Sequence, residues 1–443
     1  MTDLSTAGHF GLNGLTASVA AAKIESGEIT SEGLVIDCLE RIKTRDPKIY
    51  AWAFIDPDLA LKQARDLDKT PRRSPLHGIP VGVKDVFDTM EMPTAHGFRP
   101  YLGKLWGEDS ACVAALRDAG LVIMGKTVTT EFACPQPIGT KNPHDFARTA
   151  SVSSSGSGAA VADFMVTLAN GTQTGGSVIG PAASNGVYGF KASLNGIDRA
   201  GFRHCKQSID TIGLFARSID DLILMRSVNV GEPVHPLLDK GAHPRIGIVR
   251  TAAWEQAEEC TRSAIALAIE LLGDAGAQIL DVDLPERFVE IVDDFAVINA
   301  WEGARALDQE ITSHFSDFNE HNRERVEFAR GLKLADYQNS TASLNEARAQ
   351  IDEIASGYDL FITPSLPGEA PIGILEIRNA VFNRLWTQMH MPAVNLPLFE
   401  GPHAMPVNIQ LVGRQHFDGQ VLAIAHWVDA RLRERLGDIP ASI

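Results

Sequence analysis

Two clusters of glycine, serine and threonine lie close together in the chain and contain side chains that can do chemistry. They read ARTASVSSSGS at residues 147–157 and GTQTGGSVIG at residues 171–180. Clusters of this kind can form a flexible linker, a cradle for a phosphate group, or the floor of a catalytic site with a serine nucleophile. The residues between and around them decide among the three.

A linker and a phosphate cradle fit the sequence poorly. The segment GAAVADFMVTLANG, residues 158–171, has the composition of a buried helix of small residues followed by a short strand, whereas flexible linkers lack apolar residues. A phosphate cradle requires GxxxxGK followed by Ser or Thr, or GxGxxG after a strand. Neither cluster has a lysine in the required place, and Gly156-Ser157-Gly158 lacks the third glycine.

The third interpretation, a catalytic floor, is favoured. Glycines have no Cβ, so the backbone N–H groups around them can point at one place and bind an oxyanion there. The candidate nucleophile is Ser177. The candidate oxyanion hole consists of the backbone N–H groups of Thr174, Gly175, Gly176 and Ser177. No GxSxG motif of a Ser-His-Asp site lies near Ser177, so its base must come from elsewhere in the chain.

The elements predicted around these clusters alternate between helix and strand. The apolar run GIPVGV at residues 78–83 predicts a strand that ends at Lys84. Helix, turn and buried strand are predicted in that order at residues 109–126 and again at 263–284. In both, a glycine follows the helix and supplies the left-handed residue that ends it. The alternation is typical of an α/β sheet with helices on both faces.

Further elements are predicted toward the two ends of the chain. Residues from about 15 to 70 have the pattern of helices with polar breaks. A helix is predicted over 343–354, with a capping box from Ser343 to Glu346. Its apolar face consists of Leu344, Ala347, Ile351 and Ile354. The last predicted elements are strands at 358–365 and 408–414 and a final helix near 419–434.

The composition is that of a globular protein with a large core, since 44% of the 443 residues are hydrophobic and 22% are charged. The 40 basic and 56 acidic residues give a formal charge of −16, and no local cluster of lysine and arginine offsets it. A net negative charge of this size repels the phosphate backbone of a nucleic acid. We therefore expect no nucleic-acid partner.

The cysteines and the N-terminal residues indicate the cellular compartment of the protein. The five cysteines are scattered and never form CxxC, so we expect free thiols in a reducing compartment rather than disulfides or zinc ligands. The first ten residues, MTDLSTAGHF, have neither the basic start nor the apolar run of a signal peptide. No run of about eighteen apolar residues predicts a membrane span. The sequence predicts a soluble, cytoplasmic protein without a membrane partner.

Several separated motifs, in the same order along the chain, resemble those of the amidase signature family. They are GIPVGVKD (78–85), GKTVTTEF (125–132), TASVSSSGSGAAVA (149–162), GTQTGGSVIGPAA (171–183) and SIDTIGLFARS (208–218). The resemblance extends over nearly the whole chain, to PAVNLP and NIQLVGR near its end. It implies the fold of that family, an α/β fold with a large twisted mixed β-sheet covered by helices on both faces.

The resemblance also implies a domain organisation. No Ser/Pro-rich linker or low-complexity run divides the chain, so we expect a single amidase domain over residues 1–443. An N-terminal helical part is expected over about 1–70 and the amidase signature core over about 75–220. The remainder of the sheet and the pocket-forming helices are expected over about 221–443. We expect a monomer or a homodimer.

The family's triad is a lysine, a serine preceded by a cis peptide bond, and a nucleophilic serine. The resemblance assigns these roles to Lys84, Ser153 and Ser177, and the family's spacing from the nucleophile selects Ser153 over its two serine neighbours. The family's chemistry requires no metal and no cofactor. Lys84 must be uncharged to act as base, and burial could provide this. Asp85 would oppose it if its side chain faced inward.

The sequence departs from the family's pattern at three places. Ser151-Val152 stands where Gly-Gly usually precedes the cis serine, and a cis bond without proline costs about 3–4 kcal/mol, so the form of this bond is left open. Gln173, where many members have Asp, resembles the malonamidase-like branch. Members of that branch have an Arg just after the nucleophile that is linked to recognising a substrate carboxylate, whereas Ile179 and Gly180 stand here.

The missing arginine leads to a substrate prediction. Without its donors, a small anionic amide has no evident partner next to Ser177. The sequence therefore predicts a neutral, fairly apolar small-molecule substrate: an aryl or alkyl amide or an anilide, with a carbamate (urethane) or an ester as alternatives for the same triad. Two other functions of the protein are left open. It could be the A subunit of a tRNA-dependent amidotransferase, or an inactive relative that has kept the fold.

Other polar residues near these motifs are predicted to support the site rather than react. Asp210 and Arg217 are expected to tie loops together beneath it. His390 and Trp386 are expected to line a wall or the core, and His204 and Cys205 are candidates for the border of the pocket.

Overall fold

The computed structural model describes residues 11–136, 138–376 and 380–437. The first ten residues, for which the sequence predicts no signal peptide, lie outside the described residues.

One mixed sheet of eleven strands organises the described part of the chain. Its strands are β1 (Trp52–Ile55), β2 (Pro80–Lys84), β3 (Val122–Thr127), β4 (Leu168–Gln173), β5 (Tyr188–Lys191), β6 (Thr211–Ala216), β7 (Arg245–Val249), β8 (Gln278–Val282), β9 (Leu360–Pro364), β10 (Ala393–Glu400) and β11 (Pro406–Val412). Their order is β1-β3-β2-β4-β6-β5-β10-β11-β9-β7-β8. Pairing is parallel within β3-β2-β4 and β9-β7-β8 and antiparallel elsewhere.

Helices cover the sheet. The α-helices of the described residues are α1 (Ala17–Glu25), α2 (Ser31–Ile49), α3 (Pro57–Leu67), α4 (Ala111–Asp118), α5 (Ser155–Ala162), α6 (Ile179–Asn185), α7 (Ile219–Val230), α8 (Glu259–Asp274), α9 (Arg287–Ala306), α10 (Asp308–His314), α11 (Glu320–Gly331), α12 (Leu334–Ala355), α13 (Arg384–Gln388) and α14 (Asp418–Leu436). Strands β2, β3, β4, β5, β6 and β9 are buried at every residue, so both faces of the sheet are covered there. The predicted α/β fold is confirmed.

The glycine-terminated helices fall where the sequence predicts them. Helix α4 is followed by Gly120 with φ of 83° and then by β3, and α8 is followed by Gly276 with φ of 100° and then by β8. Both glycines have the left-handed conformation that ends a helix at low cost. The two helix–turn–strand predictions are confirmed.

The predicted start of the helix near 343 is wrong. Helix α12 begins at Leu334, where the carboxylate of Asp336 accepts the backbone N–H of Lys333 at 2.7 Å. The buried face extends from Leu344 back to Ser340 at helical spacing, so Ser343 lies inside the helix and caps nothing. The apolar face was predicted more accurately than the start, since Leu344, Ala347 and Ile351 are buried.

The parallel strands β2 and β4 bring the two parts of the site to one edge. These strands are neighbours in the sheet, and their carboxyl ends are Lys84 and Gln173. The loop before α5 contains Ser153, and the loop between β4 and α6 contains Ser177. No helix among the described residues is both long and apolar enough to span a lipid bilayer.

Candidate active site

Lys84 lies at the centre of a buried group of hydroxyls. Its side chain is fully buried, and its Nζ donates to Ser153 Oγ at 2.9 Å and to Thr172 Oγ1 at 2.7 Å. The backbone N–H of Lys84 donates to Asn170 Oδ1 at 2.8 Å. Among the residues that the structure describes, the Lys84 side chain therefore has hydroxyl partners and no carboxylate partner. Both Thr172 and Asn170 come from the adjacent strand β4.

The surroundings of Lys84 favour its uncharged form. Burial lowers the pKa of Lys84 well below its usual value; the charge of Asp210 raises the pKa and that of Lys206 lowers it further. The adjacent Asp85 forms an ion pair with Lys126 (Oδ1 to Nζ, 3.3 Å) and accepts the backbone N–H of Ala95. Its carboxylate is therefore engaged by another lysine.

The other serines of the first cluster attach α5 to strand β4. Ser154 Oγ donates to the carbonyl of Thr172 at 3.3 Å, and Ser157 Oγ donates to the carbonyl of Asn170 at 2.8 Å. Ser155 Oγ is buried and has no hydrogen-bond partner among the described residues. Ser153 is thus the serine of this cluster whose hydroxyl contacts the lysine.

The peptide bond before Ser153 differs from what the family resemblance implies. No peptide bond between described residues is cis, so Val152 and Ser153 are joined by a trans bond. Trans is the form that residues other than proline strongly favour. The chain turns one residue earlier, where Ser151 has a positive φ of 81° and its N–H donates to Thr149 Oγ1 at 3.1 Å.

Two side chains fix the loop that contains Ser177. Gln173 Oε1 accepts the backbone N–H groups of Val178 at 2.8 Å and Ile179 at 3.0 Å, while its Nε2 donates to Thr387 Oγ1 at 3.0 Å. Thr174 Oγ1 donates to Asp210 Oδ1 at 2.5 Å. The loop is therefore held on both sides of the Gly175-Gly176 pair.

The backbone donors of this loop are available to a ligand. Within the described part of the chain, no hydrogen bond is donated by the N–H groups of Thr174, Gly175, Gly176 or Ser177. Ser177 as a whole residue is 6% exposed. A Cβ atom at Gly180, the second residue of α6, would lie 3.1 Å from Ser151 Oγ, so α6 is in contact with the loop before α5.

The supporting residues named from sequence occupy structural positions. Asp210 Oδ2 accepts the backbone N–H groups of Cys205 and Lys206. Arg217 donates to backbone carbonyls, including those of Val166 and Asn13. His390 Nε2 lies 2.7 Å from the carbonyl of Ser208, and burial lowers the pKa of His390 to about 3, so this imidazole is neutral at physiological pH.

Replacing Gln173 tests the role of this loop. Gln173→Met keeps a side chain of similar length but leaves the N–H groups of Val178 and Ile179 without their acceptor, so we expect a loss of about 1–3 kcal/mol in the free energy of unfolding and a lower kcat. Thr387→Val removes the acceptor of Gln173 Nε2 and the hydroxyl that donates to the carbonyls of Gly175 and Asn383. It leaves the acceptor of the Val178 and Ile179 N–H groups in place and should cost less. Urea unfolding measures the stability of both variants, and amide turnover measures their kcat. Equal losses in the two variants would contradict the proposed role of the Gln173 side chain in holding the loop.

The sequence did not indicate every residue near Lys84. Thr172, its second hydroxyl partner, lies in strand β4 three residues before the Gly175-Gly176 pair. The pairing of the parallel strands β2 and β4 is the signal that could have indicated it. Lys206, whose charge acts on Lys84, is distant from Lys84 in the sequence and is brought near it only by the folding of the chain. Among the described residues, no group of three or more His, Cys, Asp or Glu side chains could hold a metal ion.

Comparisons with known proteins show the family to which the chain belongs. A family model described as Amidase matches residues 33–422. The A subunit of glutamyl-tRNA(Gln) amidotransferase from Chloroflexus aggregans is 31% identical over 93% of this chain and 95% of its own length. The match to the same protein of Acidothermus cellulolyticus, at 35% identity, covers 61% of this chain and 58% of that protein. A crystal structure of an amidase has a TM-score of 0.87 at 29% identity, over 94% of this chain and 100% of that one.

The fold and the matches define the class of the protein. The chain belongs to the amidase signature family, a family of enzymes that hydrolyse amide C–N bonds. The recognition based on the separated motifs is confirmed.

Proposed function

We propose that this protein hydrolyses the C–N bond of a small-molecule amide through an acyl-enzyme, with Ser177 as nucleophile, Ser153 as proton relay and Lys84 as base. The observation that carries the proposal is the fully buried Lys84, whose Nζ lies 2.9 Å from Ser153 Oγ. A lysine with hydroxyl partners and a lowered pKa is suited to accept a proton rather than to form an ion pair.

The proposed reaction begins with proton transfer. Ser177 Oγ attacks the amide carbon while its proton passes to Ser153 and the Ser153 proton passes to the lone pair of Lys84 Nζ. The oxyanion accepts hydrogen bonds from the N–H groups of the 174–177 loop, each worth about 3–4 kcal/mol in the transition state. Lys84 returns the proton through Ser153 to the leaving nitrogen, and the C–N bond breaks. Water then attacks the acyl-enzyme by the same route.

The immediate surroundings of Ser177 favour a neutral scissile group. Ile179 and Gly180 are both fully buried, and neither supplies a charge next to the nucleophile. We propose that the part of the substrate nearest the scissile bond is neutral and fairly apolar, as in an alkyl or aryl amide or an anilide. A carbamate or an ester presents a similar carbonyl to the same groups and is the alternative substrate class.

Labelling of the nucleophile tests this proposal. The purified protein, incubated with an alkyl fluorophosphonate and digested, should carry the adduct on the peptide that contains Ser177. The reason is that the reagent needs only an activated hydroxyl and an oxyanion hole, not the true substrate. Tandem mass spectrometry locates the adduct. No adduct on Ser177 in a folded sample would favour an inactive relative.

A second candidate function is that of an amidotransferase A subunit. It is favoured by the 31% identity to such a protein over 93% of this chain. The formal charge of −16 favours a small substrate over a tRNA-bound one, and we propose a stand-alone enzyme, monomeric or dimeric, of one domain. Co-purification of partner chains, with amide turnover only in their presence, would instead support the amidotransferase.

A further inference from the structure

The loop that contains Ser177 is accessible to solvent at Thr174 and Gly175. Within residues 171–180, these two are half-buried and the others are buried. The side chains that surround Gly175 therefore border the accessible part of the loop, two residues from the proposed nucleophile.

One aromatic ring lies against this part of the loop. A Cβ atom at Gly175 would lie 3.8 Å from Phe295 Cζ and 3.9 Å from Ala380 Cβ. Both are ordinary contact distances, so the space between Gly175 and the ring holds about one methyl group. At Gly176 there is less space, since a Cβ atom would lie 2.6 Å from Ala380 Cβ. Phe295 and Ala380 thus close the space on this side of the glycine pair.

The Phe295 ring is packed on the side away from the loop. Phe295 lies in α9, is half-buried, and packs against the buried apolar cluster that contains Ile179. The guanidinium carbon of Arg384 lies 4.9 Å from the centroid of the ring, within the range of a cation–π interaction. The ring is therefore held between the loop, the apolar cluster and a cation.

The helix that begins with Arg384 also contacts the loop directly. Thr387 Oγ1, in the same helix α13, donates to the carbonyl of Gly175 at 3.2 Å. One short helix thus contacts both the Phe295 ring and the loop, so it fixes their relative position. A ligand that needs the space of the ring has to displace a side chain held on several sides.

The proposed reaction decides which part of the substrate meets this ring. The leaving nitrogen receives its proton through Ser153, so it must lie next to that hydroxyl. The carbonyl oxygen lies on the N–H groups of the 174–177 loop. The acyl substituent points away from both, and we assign it to the Gly175 side, where Phe295 lies.

We propose that Phe295 is a specificity-determining residue that limits the length of the acyl group, so that the preferred substrates are amides and anilides of short-chain acids. This inference rests on the proposed role of Ser177 as nucleophile. The ring leaves room for about one methyl group beyond Gly175, and a longer chain would collide with the ring. The inference narrows the neutral, apolar substrate class to members with a compact acyl group.

Alkyl fluorophosphonates of increasing chain length test the inference without the true substrate. The chain bonded to phosphorus takes the place of the acyl substituent when Ser177 attacks, and an ethoxy group is kept constant. In the parent, we expect the second-order rate constant for labelling of Ser177 to be about tenfold or more lower for the octyl than for the methyl probe. Phe295→Ala should raise the octyl rate about tenfold or more and change the methyl rate less than about threefold.

Two further variants complete the experiment. Phe328→Ala, at a phenylalanine of α11 that is 50% exposed, is the matched control and should leave the whole series unchanged. Phe295→Leu shortens the side chain with less loss of packing than Phe295→Ala. It should raise the octyl-to-methyl ratio in the same direction, which keeps the test available if Phe295→Ala does not fold. Thermal unfolding identifies the folded variants.

The outcomes separate the two proposals. A parent that reacts with the octyl probe as fast as with the methyl probe overturns the role of Phe295. An octyl-to-methyl ratio that is unchanged in the folded Phe295 variants, or an equal change at every chain length, overturns it as well. In each of these cases Ser177 is labelled and the proposed function stands. Absence of labelling of Ser177 by every probe in the folded parent overturns the proposed function itself.

Discussion

Ser177→Ala is expected to abolish amide turnover while leaving the fold intact, with residual kcat below about one hundredth of the parent value and a loss of up to about 10⁶-fold. The hydroxyl of Ser177 is the atom that forms the acyl bond, and no other group in the loop can replace it. The side chain is small, so its removal leaves little empty volume. Steady-state turnover and thermal unfolding measure the two effects.

The matched control is Ser155→Ala. Ser155 also lies in a glycine-serine cluster and is buried, but its hydroxyl has no partner among the described residues and no proposed role in the relay. We expect its variant to keep most of the parent activity. Residual turnover of Ser177→Ala above about one hundredth of the parent, or an equal loss in both variants, would mean that Ser177 is not the nucleophile.

Lys84→Met is expected to reduce kcat by about 10³-fold or more, since the relay then ends at Ser153 with no base behind it. In the parent, activity should fall as pH falls through the lowered pKa of Lys84, because protonation removes the lone pair that accepts the proton. This limb of the pH profile should disappear in Lys84→Met. A limb that persists in the variant would place the base elsewhere.

The same substitution should stabilise the protein at neutral pH. Lys84 has a lower pKa in the folded than in the unfolded chain, so the unfolded chain binds more protons between these two pKa values and the stability of the parent rises with pH in that window. The free energy of unfolding of the parent approaches its full value near the pKa of Lys84 in the unfolded chain, about 10.4. The gain from Lys84→Met should therefore shrink between pH 7 and pH 10 in urea unfolding. A gain independent of pH would indicate that Lys84 has no lowered pKa.

Much of the site's placement could be predicted from local sequence. The run GIPVGV is apolar, short and followed by lysine, which predicts a buried strand ending at Lys84, and β2 ends there. Gly120 and Gly276 each mark a helix end because a left-handed residue is needed there. The assignment of catalytic roles came from the resemblance of spaced motifs, and those roles stay predictions until activity is measured.

What the sequence could not predict depends on contacts between distant segments. Lys206 and Arg325 line one small cavity although they are 119 residues apart in the chain, and nothing in the local sequence of either residue indicates this. The positive φ of Ser151, whose loop packs against Gly180 of α6, is likewise not indicated by the local sequence. The trans bond at Val152–Ser153 is the form that residues other than proline favour, and the expectation of a cis serine came from the resemblance alone.

The central claim is that a neutral Lys84 withdraws the proton of Ser177 by way of Ser153, and a crystal structure of the fluorophosphonate adduct tests it most directly. We expect phosphorus bonded to Ser177 Oγ, with its oxygen about 2.7–3.1 Å from N–H groups of the 174–177 loop. We also expect Ser153 Oγ within about 3.2 Å of Ser177 Oγ, or one water away, and still hydrogen-bonded to Lys84 Nζ. An adduct on another residue, or a Ser153 hydroxyl out of reach of Ser177 even through one water, would contradict it.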